Sequence, residues 1–321
     1  MTLAALVLAL SLPSAAKPPS RPGMQGKDYG VLLVADGGGG SWRAELGSLR
    51  QAMKDAAVES VEATDSTTLQ RAVDKLRAQH VGKIVAVPLM PVAESPEMDH
   101  VRYLFGVREK PSDDRPDVSR ENAPPRALGG GNKSALVLTD PRAPKRLRSE
   151  AELVLAPTID KSSALAEILA ARAGALARDP RKEAVVLVGR APRSDKALED
   201  WKTATAAIAE AVRLKGGFRE AGVLRVRDGV RAGQQDKDRD ENKALLRSLG
   251  TQGAVVAVPL APDGKRVGQM LQRQLGTMGY RWNGKGLLGE PRLSEWIQTT
   301  AASSSALPDS RQFRDNVGGN R

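Results

Sequence analysis

The segment LRAQHVGKIVAVPLMP (76–91) returns as LRSLGTQGAVVAVPLAP (246–262), with the pentapeptide VAVPL intact in both. Each copy sets a helix-like stretch ahead of a short, continuous apolar run that ends on Pro-Leu. An apolar run of that length, bounded by turn signals, reads as a strand covered on both faces. Met twice, the pattern restricts the chain to two copies of one α/β unit.

The neighbouring segments repeat in the same order. GVLLVAD (30–36) opens the first copy and EAVVLVGRA (183–191) the second. A helix follows each. In the first, Ser41 is placed as N-cap and Leu46, Leu49 and Met53 share one face; in the second, Leu198, Trp201, Ile208 and Val212 do. VESVEAT and GVLRVRD are the next strands, and the helix after VESVEAT carries a Leu69, Val73, Leu76 stripe. PEMDHVRYLFG reads as a short helix, KSALVLTD as an added strand, and AELVLAPTIDKSSALAEIL has a shorter echo in KGLLGEPRLSEWIQ. Strands joined by helices in this order form parallel sheets with right-handed crossovers, which bind ligands at the carboxyl ends of their strands. The expected fold class is therefore α/β: two tandem flavodoxin-like domains, each a parallel sheet covered by helices, with a cleft between them.

The first domain spans 28–178, with a polar, Pro/Gly-rich insertion near 107–133; the second spans 179–303, and 304–321 reads as a flexible tail. An apolar run from Leu3 to Leu12 followed by Ser14-Ala15-Ala16 has the pattern of a secretory cleavage site, so 1–16 is expected to be a signal peptide and 17–27 a linker. That run is too short for a stable bilayer anchor. The expectation is an exported protein, periplasmic or extracellular, and not an integral membrane protein.

Composition narrows the chemistry. The 321 residues contain no cysteine, which excludes disulfides, thiolate metal sites and a cysteine nucleophile. A net charge of +11 favours acidic partners. Lys and Arg are interspersed with Asp and Glu, and no zinc-finger, helix-turn-helix or aromatic-plus-basic strand motif occurs, so no specific nucleic-acid partner is expected.

With both copies laid out, the chain resembles the class II tetrapyrrole chelatases, the sirohydrochlorin cobaltochelatase and ferrochelatase family. The resemblance rests on VLLVADGG, on EATDSTTLQRAVDKLRAQHVGKIVAVPLMP, on the second-copy VVLVGRA and VVAVPLAP, and on GLLGEPRLSEWI. It implies insertion of Co2+ or Fe2+ into a polycarboxylate tetrapyrrole between the two halves, without a redox cofactor. It also implies a histidine at the end of the first strand and another beyond the Pro-Leu strand. Asp36 stands at the first of these places, Arg190 at the matching place of the second copy, and His100 lies a few residues late for the other.

Two sets of candidates follow. Asp36, Glu97 and His100 are candidate ligands for a divalent metal, Co2+, Fe2+ or Ni2+, in an oxygen-rich site replacing an imidazole pair. The plain alternatives are capping or turn geometry for Asp36 and a surface helix position for His100. Gly38, Gly39, Gly40 and Ser41 offer backbone N–H groups to an anion at a helix start, and Arg190 a guanidinium suited to a carboxylate or to a structural ion pair. No nucleotide cofactor is expected, because Trp42 falls where G-x-G-x-x-G needs its third glycine and no Gly-Lys-Ser/Thr follows. The functional expectation is an exported chelatase-like protein that binds a divalent metal or a tetrapyrrole-like acidic molecule in its cleft, with metal insertion an open question. The alternative is a non-catalytic periplasmic interaction module on a degenerate chelatase fold.

Overall fold

A computed structural model of the chain describes residues 28–36, 39–112, 144–227, 229–276 and 278–315. The expected signal peptide and linker, Gly38, KSALVLTD and most of the polar insertion lie outside these residues. Four strands, β1 (Tyr29–Val34), β2 (Ala56–Val61), β3 (Lys83–Pro88) and β4 (Glu152–Leu155), pair in parallel in the order β2-β1-β3-β4. Three more, β5 (Ala184–Arg190), β6 (Glu220–Val226) and β7 (Val255–Pro259), form a second parallel sheet, β6-β5-β7. The apolar runs alternate between two cores, because successive strand side chains leave the sheet on opposite faces and both faces are covered. Thus Val31 and Leu33 enter one core, Leu32 and Val34 another. The two VAVPL copies take equivalent places: the amides of Leu89 and Leu260 donate to the carbonyls of Val34 and Val188, at 2.7 and 2.8 Å.

Among the described residues eight α-helices cover the sheets: α1 (Gly39–Ala52), α2 (Ser66–Arg77), α3 (Pro96–Leu104), α4 (Ser163–Gly174), α5 (Asp195–Gly216), α6 (Ala232–Gly250), α7 (Gly264–Leu275) and α8 (Pro291–Ser305). The outer face of the first sheet packs on α2 and α3, and that of the second on α6 and α7. Between the sheets lie α1, α4, α5 and α8, in one shared core reaching from Val31 and Val85 to Val185 and Val256. Helix α4 packs on α5 and β7, whereas α8 packs on β3, β4 and α1. The last helix of each half therefore covers the opposite sheet, and the halves share their hydrophobic interior.

Three local expectations change. Helix α1 begins at Gly39, so Ser41 lies inside its first turn and is not its cap. The echo KGLLGEPRLSEWIQ adds no strand. Its backbone instead crosses the end of β7, where the amides of Leu287 and Leu288 bond to the carbonyls of Ala261 and Pro262, and a Cβ at Gly286 would lie 2.4 Å from the Ala261 oxygen. Arg281 alone bridges to Val256 in the place a fourth strand would take. Residues 304 and 305, expected to begin a flexible tail, close α8, and the following segment binds the first sheet: the Ser310 amide donates to Leu153, and those of Gln312 and Phe313 to Gly106.

Candidate functional site

Turns at the carboxyl ends of both sheets bring charged residues together. Asp36 follows β1 and Arg190 ends β5. After β3, Ser95 caps α3 by accepting a hydrogen bond from the Met98 amide at 3.2 Å, and Pro96 fixes the first helical position, so Glu97 sits in the first turn. After β7, Asp263 caps α7 and Arg266 follows one turn later. Asp36, Glu97, Arg190, Asp263 and Arg266 line one pocket, walled by Met90, Val92, Leu260 and Val267 and floored by Trp201. Glycine is required at 189, where a Cβ would lie 2.8 Å from Trp201 Cζ2.

Arg190 organises this pocket. Its Nη1 donates to Asp36 Oδ2 and lies 3.3 Å from Glu97 Oε1. One cation from the second half thereby joins two carboxylates of the first. Glu97 is buried, and burial pushes its carboxyl above the ordinary glutamate range; Arg190 opposes that shift and the charge of Asp36 adds to it. A carboxyl with a raised pKa beside a charge partner in a pocket is a candidate functional group.

The pocket is a cavity of about 60 Å3, room for a group of a few heavy atoms and not for a macrocycle.

The expected metal trio is divided. Asp36 and Glu97 meet at the pocket, but the guanidinium between them supplies the positive charge a metal ion would bring. His100 is buried on α3, so it is not the surface residue of the plain reading, and it does not line the pocket. Among the described residues no group of three or more His, Asp or Glu side chains is placed to hold a metal ion. Gly39, Gly40 and Ser41 supply first-turn N–H groups of α1, which have no partner within a helix. Sequence reasoning missed Arg266 and Asp263. The signal was available, since α7 follows the second VAVPL as α3 follows the first. Trp201 was read as core only, whereas it is both core and pocket floor.

No family model and no curated protein matches the chain. Similar solved structures include a multi-domain protein of Deinococcus radiodurans described as structurally similar to chelatases with two additional domains, at 15% identity and a TM-score of 0.46 over 86% of this chain; the chain spans only 55% of that protein. SirB from Bacillus subtilis, solved with Fe3+, is 13% identical with a TM-score of 0.47, covering 87% of this chain and 96% of SirB. The arabinose-binding protein AraP of Geobacillus stearothermophilus is 12% identical with a TM-score of 0.31, covering 73% and 66%. Among the described residues no helix is long and apolar enough to cross a membrane.

Proposed function

We propose that this chain is an exported, chelatase-like binding protein that takes a carboxylate arm of an acidic small molecule, tetrapyrrole-like molecules included, at Arg190, and does not insert metal. One observation carries the reading: a guanidinium bridges two carboxylates at the strand tips, where the family resemblance calls for imidazole. Imidazole can bind a divalent metal and accept a pyrrole proton; a guanidinium stays protonated and does neither. It does form paired hydrogen bonds with a carboxylate, and the low dielectric of a small, largely apolar pocket strengthens them. Arg266 supplies a second cation in the same pocket. The pocket's size suits one carboxylate arm, with the body of a larger molecule left outside.

The test is to mix the purified protein with sirohydrochlorin and cobalt and follow the absorption spectrum. The expected result is a shifted tetrapyrrole spectrum without faster cobalt insertion than in buffer, and loss of the shift in Arg190→Gln. Accelerated insertion that disappears in Asp36→Ala would overturn the proposal. Export is tested separately by the N-terminus of the protein recovered from outside the cytoplasm, expected near Lys17.

A further inference from the structure

Far from the pocket, on the outer side of the first sheet, a groove of about 480 Å3 runs between α2 and the segment 144–149. Arg71 and Arg77 line it from the helix, Lys145, Arg146 and Arg148 from the segment, and among the described residues Asp74 is its only acid. The groove is built rather than incidental. The Gln70 amide donates to the Arg148 carbonyl at 2.8 Å and accepts from the Arg148 amide at 2.9 Å, tying the segment to the helix as a strand would be tied. Arg146 is held by Asp315 at 2.6 Å and lies 4.7 Å over the Tyr103 ring; Arg77 pairs with Glu150 at 2.9 Å. Among the described residues, Arg71, Lys145 and Arg148 are exposed and have no carboxylate partner.

We infer that this groove docks an acidic peptide segment of a protein partner, whose carboxylates pair with Arg71, Lys145 and Arg148. Two arginines placed on a fixed backbone suit planar, bidentate carboxylate recognition. Charge complementarity of this kind steers and orients a partner. Other polyanions fit less well. Single-stranded nucleic acid calls for exposed aromatic platforms, and the nearby Tyr103 ring is covered by Arg146. A lipid surface calls for apolar anchors, and among the described residues the exposed large hydrophobics, Leu214 and Leu307, do not line the groove.

The probe is a labelled dodecapeptide of alternating Asp and Glu, titrated by fluorescence anisotropy at low ionic strength, where such pairing is least screened. The charge reversal Arg71→Glu/Arg148→Glu is expected to weaken binding at least tenfold. The neutral Arg71→Gln/Arg148→Gln is expected to weaken it by a smaller factor, with melting curves unchanged in both. A control reversal at the solvated Arg181 and Lys182, 90% and 82% exposed, should leave affinity within twofold. Equal loss in groove and control variants would show general attraction to a basic protein and overturn the inference. So would absence of peptide binding, or tighter binding of duplex DNA or phosphatidylglycerol vesicles at the same sites.

Discussion

Two arginine–carboxylate clusters lie at the strand tips of this protein, and they are built in different ways. On the outer side of the second sheet, buried Asp238 of α6 accepts from Arg225 Nε at 2.7 Å and from Arg227 Nε and Nη2 at 2.6 and 2.9 Å. Neighbouring Asn242 bonds both backbone groups of Arg225. Two cations share one buried acid there, Arg225 also donates to the exposed Glu241, and every contact stays within one half. At the pocket, one cation serves two acids and the contacts cross between the halves. Such a cluster fixes a fold, because its carboxylate is fully buried and already accepts three hydrogen bonds. A cluster with a raised carboxyl, a second cation in Arg266 and an adjoining cavity has room to change its partners.

The sharpest way to break this contrast is to remove Asp238. Asp238→Ala removes the buried acid that joins two largely buried guanidiniums, leaving, among the described carboxylates, Arg225 only the exposed Glu241 and Arg227 only Asp195 at 3.9 Å, and is expected to cost about 3–5 kcal/mol in denaturant unfolding. A loss below about 1 kcal/mol would show that solvent replaces it and that the two clusters do not differ in kind. Gly189→Ala comes next. Its Cβ must push back the Trp201 ring, costing about 1–3 kcal/mol and altering tryptophan fluorescence. Succinate should protect the wild type but not this variant against thermal unfolding.

Glu97→Gln has the smallest expected effect and the most specific one. Because the folded state raises the Glu97 pKa, its stabilising contribution is fully present below the ordinary value of 4.5 and is lost as pH rises through the folded-state value. The wild type should therefore lose stability relative to Glu97→Gln as pH climbs from 4.5. Above the folded-state pKa of Glu97 the variant should bind succinate a few-fold more tightly, since it carries no charge to repel the incoming carboxylate. A ratio of affinities that does not change with pH would remove Glu97 from the site.

The sequence reading reached the pairing of elements far better than the pairing of charges. VAVPL and its flanks located β3 and β7 because a strand covered on both faces must be apolar throughout, and that constraint is local. Asp36 and Arg190 were placed at matching strand ends, and those ends do meet. Their mutual contact was not legible, because it depends on how the two sheets face each other. The crossing of α4 and α8 was hidden for the same reason: an amphipathic stripe specifies that a face is buried, not which sheet buries it. His100 was drawn to the site by chemical type. Glu97, three residues earlier, occupies the turn that faces the pocket, and the next turn of α3 does not line it. Asp263 and Arg266 required reading α7 as the counterpart of α3 and asking what its first turn would face.

The central claim is that the cation at the strand tips is part of the protein, so that the pocket selects anions over metal ions. Calorimetric titration of the wild type and Arg190→Gln with succinate, and separately with cobalt chloride, tests it most directly. The account predicts saturable heat with succinate that falls at least tenfold in affinity in the variant, and no saturable heat with cobalt in either protein. Saturable cobalt binding that strengthens when Arg190 is neutralised, with no response to succinate, would contradict it.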